Sequence, residues 1–85
     1  MHIVDKEVDI KATLEVSTTG RPKQVHVEIT AEVIRLNYRW NQCEISVSEA
    51  KSHPNRIATI VFGCVPEIYV FEAENIVKFI KANLN

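Results

Sequence analysis

The sequence has few of the residues that build nucleotide-binding loops and disulfide-linked scaffolds. It contains two glycines, Gly20 and Gly63, which is too few for a glycine-rich loop that cradles a phosphate group. Its two cysteines, Cys43 and Cys64, form no C-x-x-C pair and are too few for a disulfide framework. We expect two reduced thiols in a cytosolic protein, and a single disulfide between them is the alternative.

Long apolar runs are also missing. The longest fully apolar runs are only a few residues long, far shorter than a transmembrane helix requires. The first ten residues, MHIVDKEVDI, are charged and alternating, and they lack the apolar core of a secretory signal. We therefore expect a cytoplasmic protein that does not contact membranes.

The charge balance gives no overall attraction to nucleic acid. The formal net charge is −1, although residues 34–56 carry four basic and two acidic side chains. With 46% hydrophobic and 25% charged residues, the composition is ordinary for a folded domain. A chain of 85 residues can bury a real core, so we predict a single compact domain over residues 1–85.

Two segments alternate strictly between apolar and polar side chains. In residues 7–17 and again in residues 24–33, an apolar side chain occurs at every second position. This period is typical of strands with one face on a core and one face in water. Residues 18–23, TTGRPK, supply a turn, so the two strands are predicted to form an antiparallel pair.

The phase of the alternation shifts at Val33-Ile34. One extra residue in a strand is what a β-bulge inserts. We therefore predict one long bent strand over residues 24–40 with a bulge at this position. The alternative is that one strand ends here and a new one begins.

A hairpin is predicted in the stretch VIRLNYRWNQCEISV. A two-residue connection at residues 41–42 would place Trp40 opposite Cys43 on one face and Arg39 opposite Glu44 on the other. Both faces are then chemically matched, which favours an ordinary pair of strands.

The second half of the chain continues with two further predicted strands and a helix. Residues 48–56 are polar and contain Pro54, which predicts a loop. Residues 57–62 are apolar at nearly every position, as in a strand that is covered on both faces. Residues 67–71 are predicted to form the fifth strand.

Residues 73–84 are predicted to form an amphipathic helix, because their apolar side chains repeat with the helical period. These side chains are Ala73, Ile76, Val77, Phe79, Ile80 and Leu84. The predicted class is therefore α+β: an antiparallel sheet of about five sequential strands, with one face covered by a single C-terminal helix.

The sequence contains no catalytic or metal-binding signature. His2, His26 and His53 show no ligand spacing with one another or with the cysteines. No Ser, His and Asp set can be assigned, since such a triad is defined by geometry. We expect a protein that is not an enzyme and uses no cofactor.

Binding is the function that the sequence favours. A sheet covered on one face leaves edges and apolar positions that a partner can contact. We predict a small binding module acting through protein–protein contacts, as a regulator, an inhibitor or a self-associating subunit such as a homodimer. In size it is analogous to regulators encoded by phages and mobile elements. The candidate partner-binding residues are Arg35, Tyr38, Arg39, Trp40 and Arg56.

The alternative is a nucleic-acid-binding protein. Basic side chains could contact phosphates while exposed aromatic rings stack on bases. The residues that would do so are Arg35, Arg39, Lys51 and Arg56 with Tyr38 and Trp40. Strict alternation places the two aromatic side chains on the opposite sheet face from the first two arginines, so we rank this alternative second.

Overall fold

The computed structural model describes residues 10–17 and 22–84. Four strands are followed by three helices: β1 (Ile10–Ser17), β2 (Pro22–Ile29), β3 (Val33–Tyr38), β4 (Asn41–Ser46), α1 (Val47–Ser52), α2 (Asn55–Cys64) and α3 (Val70–Ala82). The strands form one antiparallel sheet in the order β1-β2-β3-β4, and the helices pack on one of its faces. The α+β class is confirmed, but the sheet has four strands instead of five, and three helices replace the single predicted one.

The first predicted pair of strands is confirmed for the described residues. β1 pairs antiparallel with β2, from Ile10 opposite Ile29 to Ser17 opposite Pro22. The apolar side chains face the helices and the polar ones face solvent, as the alternation predicts. Residues 7–9 of the predicted strand and most of the predicted turn lie outside the described residues.

The predicted long bent strand over residues 24–40 is wrong, because the chain reverses between β2 and β3. β2 ends at Ile29, β3 begins at Val33, and the two strands pair antiparallel with Ile29 opposite Ile34. The phase shift of the alternation therefore marks two strands joined by a tight turn, and there is no bulge.

The side chain of Thr30 closes this turn. Its Oγ1 atom accepts hydrogen bonds from the backbone N–H groups of Glu32 (3.2 Å) and Val33 (3.1 Å). The backbone N–H of Thr30 donates to the Val33 carbonyl oxygen at 2.9 Å. A hydroxyl thus satisfies donors that the turn would otherwise leave to water.

The next hairpin exists, but its predicted register is wrong. The connection lies at residues 39–40 instead of residues 41–42, so Glu44 is opposite Arg35 and not opposite Arg39. The partner of Glu44 moves by four residues, an even number, so the residues that remain paired keep their predicted faces, whereas Arg39 and Trp40 move into the turn. Arg39 has a φ of 55°, which is the one positive φ of a non-glycine residue in the described part of the chain.

The prediction of two strands at residues 57–62 and 67–71 is wrong. The first segment lies in α2, and the second forms the approach to α3 and its first residues. In α2, Ile57, Val61 and Cys64 recur at the spacing of one helical face, and all three are buried against the sheet.

The predicted loop at residues 48–56 is wrong over most of its length, because it contains most of α1 and the start of α2. Ser46 is the N-cap of α1, and its Oγ atom accepts a hydrogen bond from the backbone N–H of Glu49 at 3.1 Å. This cap satisfies one of the donors that a helix start leaves unpaired.

The C-terminal helix is confirmed. It begins at Val70, three residues earlier than predicted, and buries Ala73, Ile76 and Ile80. Val77, Phe79 and Leu84 pack against the same core from its margin.

The core between the sheet and the helices is mainly aliphatic. Tyr38 is the only aromatic side chain that is fully buried, and Phe79 is half-buried. Trp40, Phe62, Tyr69 and Phe71, four of the six aromatic residues in the sequence, are exposed.

Candidate protein-binding surface

The five residues singled out in the sequence do not form one surface. Arg35 lies in the middle of the open face of the sheet, and Tyr38 lies in the core. Arg39 and Trp40 form the turn between β3 and β4, while Arg56 is near the start of α2. Only Tyr38, Arg39 and Trp40, which are consecutive in the chain, are brought together.

Arg35 belongs to a row of alternating charge that crosses all four strands. Its Nε atom donates to Glu44 Oε2 at 2.9 Å, and its Nη1 atom lies 3.5 Å from Glu28 Oε1. Lys11 Nζ lies 4.0 Å from the other carboxylate oxygen of Glu28. The hydrogen bond to Glu44, followed by the attraction of that carboxylate and of Glu28, raises the pKa of Arg35. With two carboxylates in contact, Arg35 is poorly suited to bind phosphate.

Arg56 is also paired with a carboxylate. Its Nη1 atom donates a hydrogen bond to Oε2 of Glu49, so the pair joins α1 to α2. Lys51 lies at the same end of the sheet, beside the turn between β2 and β3. Trp40 is at the other end of β3, which is about 17 Å long from its first to its last residue. Lys51 and Arg56 therefore lie far from Trp40 along the molecule, and Arg39 is the predicted basic residue that lies beside it.

Tyr38 fastens the connection between α2 and α3 to the sheet. The Tyr38 hydroxyl donates a hydrogen bond to Glu67 Oε2 at 3.3 Å, although the ring itself is buried. Burial, with a contribution from the Glu67 carboxylate, raises the pKa of Tyr38. The Tyr38 ring is thus held in the core beside the turn that carries Trp40.

A second bond holds the same two segments together. Asn41 Nδ2 donates to the backbone carbonyl oxygen of Cys64 at 2.9 Å, and Cys64 is the last residue of α2. The Cys64 thiol in turn approaches the carbonyl oxygens of Leu36 (3.6 Å) and Asn41 (3.8 Å). The turn between β3 and β4 is therefore docked on the end of α2.

Cys43 and Cys64 are both free thiols in the structure and lie next to each other, and their reduced state stays a prediction. Burial, followed by the neighbouring thiol of Cys43, raises the pKa of Cys64 to about 12. A thiol that stays protonated is a poor nucleophile, so the Cys64 site offers no reactive cysteine.

The turn between β3 and β4 projects Trp40 into solvent. A positive φ at only the first of the two central residues, here Arg39, is the pattern of a type II′ turn. Trp40 is 85% exposed, and the Arg39 guanidinium lies 5.7 Å from the centre of the Tyr38 ring. Trp40 also borders a shallow depression with Pro66 and Glu67 of the α2–α3 connection.

Four further exposed apolar residues were not among the candidate residues. The rings of Tyr69 and Phe71 are stacked, with centroids 5.7 Å apart, directly after the connection that borders Trp40. Val70 is exposed on the first turn of α3, and Phe62 borders a groove with Ala73, one turn further along that helix. We call Trp40, Phe62, Tyr69, Val70 and Phe71 the aromatic surface.

The signal that would have revealed these residues is the position of the helix starts. Read as helices, residues 55–64 and 70–82 turn one apolar stripe inward and leave Phe62, Val70 and Phe71 outside it. Read as strands, the same residues alternate between two covered faces, which conceals their exposure.

The described residues include no group of three or more His, Cys, Asp or Glu side chains that could hold a metal ion. In the same part of the chain, no helix is long and apolar enough to cross a membrane. No protein-family model, curated protein or solved structure matches the chain.

Proposed function

We propose that the protein is a small non-enzymatic module that binds another protein through the aromatic surface and the adjoining Arg39. The observation that carries this proposal is the exposure of four of the six aromatic side chains, while the core is mainly aliphatic. Exposed apolar patches such as the Tyr69–Phe71 stack are typical of interaction sites. Trp, Tyr and Arg are also the residue types that contribute most to binding energy at protein interfaces.

The support beneath this surface favours a rigid recognition site. The Tyr38–Glu67 and Asn41–Cys64 hydrogen bonds join the Trp40 turn to the α2–α3 connection before any partner binds. Preorganisation of this kind lowers the entropy lost on association.

Arg39 adds a local indication of function. An arginine at a φ of 55° is less stable than a glycine would be, and strained residues cluster at functional sites. Its guanidinium, held over the Tyr38 ring beside Trp40, is placed to contact a carboxylate of the partner.

The groove between α2 and α3 favours a partner segment with an apolar stripe. Ala58, Phe62 and Val77 provide apolar lining, and the charged lining residues are Glu74, Lys78 and Lys81. An amphipathic helix inserts apolar side chains into grooves of this type. The two free thiols suit a protein that acts in the reducing cytoplasm.

The test is affinity capture followed by binding measurements on the purified partner. The variant is Trp40→Ala combined with Phe71→Ser, and the matched control is Gln42→Ala, an exposed residue on the open sheet face. We expect the control to bind like the wild type and the variant to lose about 2 kcal/mol or more, roughly thirtyfold in Kd. Equal affinity of variant and wild type for every captured protein would contradict the proposal.

Arg39→Glu tests the charged part of the surface. We expect weaker binding of the partner and a retained fold, because Glu44 is paired with Arg35 and not with Arg39. Loss of the contact between Arg39 and the Tyr38 ring should lower the free energy of unfolding by only about 0.5–1 kcal/mol. If urea unfolding shows that this variant is strongly destabilised, Arg39 has a structural role and does not belong to the site.

The nucleic-acid alternative is tested with the same chain. Trp40 is the only tryptophan, so its fluorescence reports on its own surroundings during titration with single-stranded and duplex oligonucleotides. We expect no quenching at low or moderate salt, because Arg35 and Arg56 are each paired with carboxylates. Quenching that disappears as salt rises would favour nucleic-acid binding over the proposed function.

A further inference from the structure

A different part of the molecule, the outer edge of the sheet, is suited to a second copy of the chain. β1 is an edge strand, and among the described residues it pairs with β2 alone. An edge strand presents a row of backbone N–H and C=O groups that can pair with another strand.

The charges on β1 are self-complementary. Lys11 and Glu15 lie on the solvent-facing side of the strand, two residues on either side of Thr13. In an antiparallel pair of two identical strands related by a two-fold axis at Thr13, each Lys11 is opposite the Glu15 of the other copy. No other two-fold register of this strand pairs these two residues.

The same register matches the apolar side of the strand. It places Ile10 opposite Val16 and the small Ala12 opposite the larger Leu14. The two-fold axis generates each of these pairs twice, once on either side of Thr13. Ile10, Ala12 and Leu14 are only half-buried in the single chain, so pairing would cover apolar surface that is now partly open. Cross-strand pairs of this kind stabilise antiparallel sheets.

The pairing would also extend the row of alternating charge. Within one chain this row runs from Glu44 through Arg35 and Glu28 to Lys11, whose side chain is 72% exposed. The Glu15 of the second copy would continue the alternation at the end where the row now stops with a positive charge.

The other edge of the sheet has no such complementarity. The only charged residue of β4 is Glu44, and its carboxylate already accepts a hydrogen bond from Arg35. A two-fold pairing of β4 with itself therefore cannot oppose opposite charges.

We propose that β1 pairs antiparallel with β1 of a second copy, centred on Thr13, to form a symmetric dimer with one continuous sheet. The contact is isologous, as in most homodimers, and it is independent of the aromatic surface. Each dimer would then present two aromatic surfaces, and a partner with two binding sites would be held by avidity.

The test is the molar mass of the full chain by light scattering over a range of concentrations, with circular dichroism to verify folding. We expect a dimer for the wild type. Glu15→Lys places lysine opposite Lys11, and Lys11→Glu places glutamate opposite Glu15. Each should weaken the dimer by about tenfold or more, because like charges directly opposite each other repel.

Charge exchange provides the matched control. The double variant Lys11→Glu/Glu15→Lys restores opposite charges and should recover the dimer. An equimolar mixture of the two single variants should form a heterodimer, because every contact between the two chains is then attractive. Glu15→Gln, which introduces no repulsion within the chain, should weaken the dimer less than Glu15→Lys does.

A wild type that remains monomeric at high concentration would overturn the proposal. A dimer of unchanged affinity in both folded single variants would do the same. Neither result would affect the proposed function, because partner capture by the aromatic surface is measured separately.

Discussion

Replacement of Asn41 by alanine should destabilise the protein and weaken partner binding together. Asn41 Nδ2 donates to the carbonyl oxygen of Cys64, one of the last carbonyls of α2, which have no partner within the helix. Cys64 is fully buried, but the Asn41 residue bonded to its carbonyl oxygen is exposed, so water can reach this oxygen once the Asn41 side chain is removed. The expected loss in the free energy of unfolding is therefore about 0.5–1.5 kcal/mol, the net contribution of a typical hydrogen bond.

The assay is urea unfolding followed by circular dichroism. Asn41→Ala should lower the midpoint without changing the slope, because the surface exposed on unfolding is unchanged. For a domain of this size each kcal/mol corresponds to about 4–8 °C in Tm. The matched control is Gln42→Ala, the neighbouring exposed residue on the opposite face, which should change stability by less than about 0.5 kcal/mol.

The same variant should bind the partner less tightly, because the Trp40 turn is no longer docked on the end of α2. Asn41→Asp, which keeps the shape but replaces the donor with an acceptor, should be at least as unstable as the alanine variant. If Asn41→Ala proved as stable as Gln42→Ala, the turn would not be docked on α2, and the proposed preorganisation of the aromatic surface would be refuted.

Three further changes have defined expected outcomes. Gly63→Ala should raise the free energy of unfolding by about 0.4–1 kcal/mol in urea titrations, because Gly63 is helical and a Cβ atom there meets nothing within 4 Å. Thr30→Val should lower it by about 1 kcal/mol, because Glu32 and Val33 lose the hydroxyl acceptor in the turn. The pKa of Cys64 is raised to about 12 in the folded state, from 9.0 for an ordinary thiol, so the unfolded chain loses this proton first. The stabilisation is fully present below pH 9, and as pH rises from there towards 12 the free energy of unfolding should fall relative to that of Cys64→Ala. Equal pH dependence of the two proteins would contradict the buried, neutral thiol.

The strands of the first half could be predicted because their pattern has a single reading. In β1 and β2 an apolar side chain at every second position fits only a half-covered sheet. The reversal at Thr30 could not be predicted in the same way, because this turn has no glycine or proline. It depends on a hydroxyl that bonds to its own backbone, which the composition of the segment does not reveal.

The second half was misread because residues 57–62 are apolar at nearly every position. A short apolar run is compatible with a buried strand and with a buried helix, and the β-branched side chains of Ile57, Ile60 and Val61 favoured the strand. The segment is helical because α2 packs against β3 and β4 and buries the face that contains Ile57 and Val61. Local preference was overridden by tertiary contacts.

The placement of the candidate residues could be predicted only in part, for the same reason. Exposure of Trp40 depends on which two residues form the turn, and a shift of the hairpin register moved it from a strand into solvent. The charges of Arg35 and Arg56 were visible in the sequence, but their carboxylate partners come from other elements. Phe62 and Phe71 became surface residues only once their segments were helical.

The most direct test of the proposed recognition surface is acrylamide quenching of Trp40 in the isolated protein. Trp40 is the only tryptophan and is 85% exposed, so its emission should be red-shifted and quenched nearly as efficiently as that of a free indole. Emission that is blue-shifted and resistant to acrylamide would place Trp40 in the core, and the aromatic surface would lose its most exposed residue.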